Sequence, residues 1–321
     1  MIAALARRAS APLTLTLLAF ACIYLIWGST YLVIRFAIET IPPLLMVGVR
    51  FIVAGALLYG WTLLRGEARR PSAREWGAAT VYGGLFFLVG NGGVSWSEQR
   101  IPSGIVALLV AAIPLWTAVF EWGRRGGRRP GAMAIAGVAL GFGGIALLIG
   151  PGESLTRSAV DPAGALVMTL APLGWAYGMV HARNAPHPPS VLQTAAMQML
   201  AGGAVSLLLG TLMGEWRGAS LDAVSLRSLL ALLYLVVFGS IVAFSAFAWL
   251  LQTNASDRVA TYAYVNPIVA VIVGWAVGGE PITSRILVAG SIVILGVVLI
   301  LRARARAAGP ATVADAAEET A

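Results

Sequence analysis

Between residues 13 and 301 the chain is a string of ten apolar stretches, each close to the roughly 20 residues a helix needs to cross a bilayer. They run 13–35, 43–64, 76–96, 103–122, 132–150, 162–181, 191–213, 227–250, 259–277 and 285–301. The links between them are short and rich in Gly, Pro and Arg. Hydrophobic residues make up 59% of the chain and charged ones 11%, against about 25% charged in a soluble domain. The expected fold class is an all-α integral membrane protein with no soluble domain.

The pattern is also duplicated. Trp96, Pro114, Trp122, Gly137 and Gly143 recur as Trp249, Pro267, Trp275, Gly290 and Gly296, each pair 153 residues apart. The duplication divides the chain into a first copy, 13–150, and a second, 162–301, followed by an Ala-rich tail, 302–321, expected to be disordered and cytosolic. Each copy holds five segments. Five is odd, so the second copy starts on the opposite side of the membrane from the first. The ten helices therefore form two inverted repeats, an arrangement whose binding sites lie near the midplane between the copies.

Arginine gives the orientation. Arg7, Arg8, Arg65, Arg69, Arg70, Arg74, Arg124, Arg125, Arg128, Arg129, Arg183, Arg258, Arg302, Arg304 and Arg306 fall on one side, and only Arg35, Arg100, Arg157, Arg217, Arg227 and Arg285 on the other. The richer side is cytoplasmic, so both termini are expected inside. Arg7 and Arg8 ahead of an apolar run resemble a signal peptide, but the run is too long for one and no small-residue cleavage site follows. The net charge of +8 is spread among the links rather than along one face, which argues against a nucleic-acid partner.

Several chemistries are excluded or disfavoured. The chain has no lysine, which removes a Walker A loop and a pyridoxal phosphate Schiff base. Transport, if present, is secondary or passive. The single Cys22 can form no internal disulfide. No cofactor or metal site is expected. A membrane-embedded enzyme lacks a buried acid/base cluster, and a sensor or scaffold has no need of two matched prolines. No Asp or Glu lies near the centre of any segment, and His181 and His187 sit by one loop. Weak or no proton coupling follows.

Pro114 and Pro267 each remove a backbone hydrogen bond inside an apolar segment. The freed carbonyls call for protein or cavity water, so the pair reads as two kinked helices lining a polar cavity or, more simply, as packing kinks. Asn266, beside Pro267, and Tyr262 and Tyr264, just before it, add polar groups at that depth. Trp27, Ser29 and Tyr31 in the first segment, and Trp175 and Tyr177 in the sixth, read as cavity lining or as helix packing. Asn91, between Gly90 and Gly92, either faces the cavity or bonds a neighbouring helix. Arg50 is the one charge well inside a segment; a substrate carboxylate, an outer gate, or an ion pair with Glu98 or Glu39 would each explain it. Trp96, Trp122, Trp249 and Trp275 read as interface anchors, and the glycines of Gly137-x-x-x-Gly141 as packing.

Trp27-Gly28-Ser29-Thr30-Tyr31, Pro42-Pro43, Arg50-Phe51, Gly90-Asn91-Gly92, Pro102-Ser103-Gly104-Ile105, Pro114-Leu115, the stretch from Ala260 to Pro267, and Gly279-Glu280 together resemble the EamA-type transporters of the drug/metabolite transporter superfamily. The resemblance spans nearly the whole chain. It implies ten helices in two five-helix repeats, a bacterial inner-membrane location, and export of small metabolites, often amino acids, by alternating access. Amphipathic drugs or nucleosides are the alternative cargo. Monomer and homodimer are both compatible with it. Many members carry a Glu after the fourth helix and again after the ninth; here only Glu280 is present, which implies two unequal gates.

Overall fold

The chain folds as a bundle of helices in a computed structural model, which describes residues 12–123, 131–149, 161–182, 184–218, 220–254 and 256–308. We number the main helices α1 (Leu13–Ala37), α2 (Pro43–Leu64), α3 (73–97), α4 (Ser103–Gly123), α5 (Ala132–Ile149), α6 (Pro162–Ala182), α7 (Val191–Leu212), α8 (226–253), α9 (Tyr262–Ala276) and α10 (Ser284–Ala308). Eight of them are long and apolar enough to cross a membrane; α9 is apolar but shorter, and α3 starts with charged Arg74 and Glu75. Among the described residues there is no strand. Leucines such as Leu17, Leu57, Leu229 and Leu233 stand exposed on the outer surface, which suits hydrocarbon rather than water as the neighbour.

Helix ends follow from local chemistry. Pro43 opens α2, where its missing N–H is not needed, and Glu215 accepts from the free Leu44 and Leu45 amides. Ser72 and Glu75 form a capping box on α3, and Ser190 and Ser225 cap α7 and α8. Residues 302–308, expected to belong to the tail, are helical, because α10 continues through Ala308. The arginines at 7, 8, 124, 125, 128, 129, 157 and 183, and residues 309–321, lie outside the described residues.

Packing runs mostly between the two copies. Helix α2 packs on α7, α5 on α10 and α4 on α9; α1 lies against α8 and α9, while α6 lies against α3 and α4. Exchanging each helix for the one five places on leaves this set of pairs unchanged. Glycine sets one of the close crossings. A Cβ on Gly137 would stand 2.8 Å from the Gly296 carbonyl, and one on Gly296 would stand 2.6 Å from the Gly137 carbonyl. Only hydrogen fits there, so α5 and α10 touch backbone to backbone.

Among the described residues, three stretches widen to π-helical turns, Cys22–Ile26 in α1, Gly84–Gly92 in α3 and Leu235–Val242 in α8, and the last two overlap when shifted by the 153-residue repeat. A wide turn leaves carbonyls without their usual donor, and side chains supply it. Asn91 Nδ2 donates to the Phe86 carbonyl, Ser240 Oγ to Leu235, and Trp27 Nε1 to Gly239.

Candidate substrate cavity and its closed end

Helix α4 breaks at Ala111–Ala112, just before Pro114, and α9 carries Pro267 in its interior. Neither proline has an N–H, so the carbonyls four residues earlier, on Val110 and Ala263, lose their helical donors. All four of these residues line one cavity of about 100 Å³. Tyr31 and Ala107 lie at one end of its lining, and Ala260 and Leu301 at the other. Asn266 and Tyr262 face it from α9, Thr117 from α4 and Met179 from α6. Asn266 is buried, and its side-chain oxygen has no hydrogen-bond partner among the described residues. A buried, unpartnered amide oxygen beside freed carbonyls presents acceptors to whatever enters.

Of the residues expected from sequence, Tyr31, Pro114, Tyr262, Asn266 and Pro267 meet in this cavity. Trp27 stands behind it. Its ring packs against Phe247 and Tyr262 at centroid distances of 5.2 and 5.3 Å. Ser29 bonds the Tyr234 hydroxyl and the Ile26 carbonyl. The remaining expected residues have other partners. Trp175 fills a notch made by Gly90, where a Cβ would lie 2.5 Å from its ring, and packs on Phe86. Asn91 bonds its own helix. Tyr177 is half-exposed and stacks on His181. Tyr264 packs with the cluster around Leu115 and Val297. Arg50 is buried, donating from Nε to Ser240 Oγ at 3.0 Å. Glu39, offered as its partner, instead pairs with Arg227 at 3.1 Å.

Sequence reasoning set Glu280 among family motifs but could not find its partners. Beyond the Tyr31 end of the cavity, Glu280 closes α9 onto α4 and α1. One carboxylate oxygen accepts from Arg35 at 2.5 Å and from the Ser103 amide and hydroxyl at 2.8 Å each. The other accepts from the Gly104 amide at 3.0 Å. The first amides of α4 are orphan donors at the positive end of a helix dipole, and a carboxylate suits them. Burial alone would raise the Glu280 carboxyl, but the bonds from Gly104, Ser103 and Arg35 outweigh it and hold it below the usual glutamate range. Gly279, at φ +66°, makes the turn that delivers it.

At the opposite end, the start of α9 makes a contact between neutral groups. There Thr261 precedes α9 without a side-chain cap, and its hydroxyl bonds the Tyr24 hydroxyl. At that end of the bundle, too, the Arg69 guanidinium pairs with Glu75, and Gln193 bonds the Arg69 backbone, pinning the link between α2 and α3.

An apolar-faced helical bundle with a cavity between two proline-bearing helices has the architecture of a multi-pass membrane transporter. The chain belongs to the EamA-like transporter family, whose pattern matches it twice, over residues 14–150 and 162–302. It is 40% identical over 281 residues to the uncharacterized inner membrane transporter YedA of Escherichia coli (strain K12), covering 87% of this chain and 88% of that protein. It is 24% identical over 286 residues to a probable amino-acid metabolite efflux pump of Salmonella typhimurium, covering 85% and 90%. A solved crystal structure at 20% identity shares the fold, with a TM-score of 0.60 over 92% of this chain and 99% of that one.

Proposed function

We propose that the protein is a secondary or facilitative exporter of small metabolites such as amino acids, working by alternating access in the cell inner membrane. In this reading all ten helices cross the bilayer as two inverted five-helix repeats, and both termini lie in the cytoplasm. The observation that carries it is the cavity whose walls hold Pro114 with Val110 on one side and Pro267 with Ala263 on the other. Equivalent elements of the two copies meet across one space, as an alternating mechanism requires. By the arginine orientation, the Ala260 and Leu301 end faces the cytoplasm and the Glu280 latch closes the outer end. The arrangement is then inward-facing.

The wall offers hydrogen-bond acceptors and aromatic rings rather than charges, which suits a solute with an apolar part. The amino-acid class is supported by the name of the Salmonella typhimurium relative. Counterflow in proteoliposomes against a panel of amino acids, nucleosides and amphipathic cations tests the reading. Exchange of an amino acid, lost in Asn266→Leu at unchanged membrane abundance, supports it. No exchange with any member of the panel overturns it, and exchange of nucleosides or cations alone overturns the amino-acid assignment. Trp175→Ala makes a contrasting variant: it empties a packed notch, costs about 3 kcal/mol, and should lower abundance.

A further inference from the structure

The turn after α3 holds a carboxylate that the latch does not use. Glu98 is 4% exposed, and neither of its oxygens has a hydrogen-bond partner among the described residues. The sequence offers it as an ion-pair partner for Arg50 at the outer end of an apolar segment; the fold buries it without that pair. Ser95, one turn earlier, is buried with its hydroxyl likewise unpartnered. On α2, Arg50 is also 4% exposed, and its Nη1 has no partner.

The charges and titratable groups facing Glu98 come from four sides. Helix α1 brings Tyr31 and Arg35, α2 brings Arg50, and the link after α9 brings Glu280. Next to α6, Arg100 and Asp161 face each other at 3.9 Å. Arg35 is already committed to Glu280. Arg50 is the remaining cation, and it is not within ion-pair distance of Glu98. A buried carboxylate with no hydrogen bond and no close cation is costly, and such a group takes up a proton instead. Burial and the nearby Glu280 charge push its carboxyl well above the usual range, against the pull of Arg35 and Arg50.

We propose that Glu98 is a proton-binding site: it holds a proton while the Glu280 end is closed and releases it to water when that end opens, with Arg50 as the counter-ion of the ionised form. Each closure of that end then takes up one proton. This rests on the alternating-access reading and reverses the expectation of weak or absent proton coupling, which counted only carboxylates inside the apolar segments. Gate and proton are linked because the packing that closes the end is also what dries Glu98.

The sign follows from the raised value. Stability from neutral Glu98 is fully present below the ordinary glutamate value of about 4.3 and is lost as pH rises through its folded value. Purified protein without substrate tests this. Its infrared spectrum should contain a protonated-carboxyl band near neutral pH that fades on alkaline titration and is missing in Glu98→Gln. Melting temperature should fall with rising pH in the native protein and stay flatter in Glu98→Gln. The wild-type titration alone suffices if the variant does not accumulate.

The gate is read separately with Leu32→Cys in a Cys22→Ser background, since Leu32 is buried against Gly278 near the closed end. Maleimide labelling, taken as a ratio to the same protein carrying Glu98→Gln, cancels thiol ionisation and should rise several-fold with pH. A wild-type spectrum without the band, or a band with a pH-independent labelling ratio, overturns the proposal. No labelling in either protein at any pH overturns alternating access itself, and this proposal with it.

Discussion

The two ends of the cavity carry different chemistry. At one, a single carboxylate, Glu280, gathers an arginine, a hydroxyl and two helix-terminal amides from α1 and α4. At the other, Tyr24 and Thr261 share one hydrogen bond between neutral hydroxyls. The repeat would place the mate of Glu280 at Gly127, outside the described residues and without a side chain to offer. A charge held by four donors resists opening far more than a hydroxyl pair, because charge-assisted bonds are about twice as strong as neutral ones. Under the proposed alternating access, this difference would bias the resting state toward one orientation.

The comparison breaks most sharply at Glu280. Glu280→Ala should remove all four bonds and cost about 3 kcal/mol of the closed arrangement, little of it from Arg35, whose side chain meets solvent. The Leu32→Cys labelling rate should rise by at least tenfold. An unchanged rate would mean that packing, rather than the carboxylate, keeps that end shut. Acid probes the same latch. Glu280 is held below the ordinary value, so its contribution is fully present above about pH 4.3 and is lost as pH falls through the folded value. Glu98 carries the opposite sign, so the two carboxylates are separable by titration.

Gly274→Ala is the intermediate case. The new methyl would stand 2.7 Å from a Glu280 oxygen, displacing the carboxylate without removing it. A cost of about 1–2 kcal/mol and a partial rise in labelling are expected, read by melting temperature and by the same thiol assay. Tyr24→Phe is the smallest. It deletes one neutral bond, about 1 kcal/mol, and should loosen only the Thr261 end, leaving labelling at Leu32→Cys at the wild-type rate. Equal effects from Tyr24→Phe and Glu280→Ala would erase the asymmetry.

Much of the fold was legible because hydrophobic length and proline position are local properties. The helices match the apolar stretches to within a few residues, except that α10 runs on from 301 to Ala308, and Pro114 and Pro267 do face one cavity. Trp175 and Asn91 carry polar or aromatic groups at the right depth, but neither lines the cavity. Trp175 instead fills a notch at Gly90, visible only once α3 and α6 are docked. Asn91 bonds within its own helix, where a π-helical turn frees the Phe86 carbonyl.

Sequence by itself determined that this chain is a duplicated, helical membrane protein with proline-bearing helices at matching points, because bilayer thickness and the missing proline N–H act on each stretch independently. The tertiary structure alone decided which acids matter. Glu280 meets Ser103 across 177 residues of chain, and Glu98 is buried where charges from α1, α2 and the link after α9 act on it. A carboxylate's role depends on its donors and on the water left around it, and both are set by distant segments that no local pattern records.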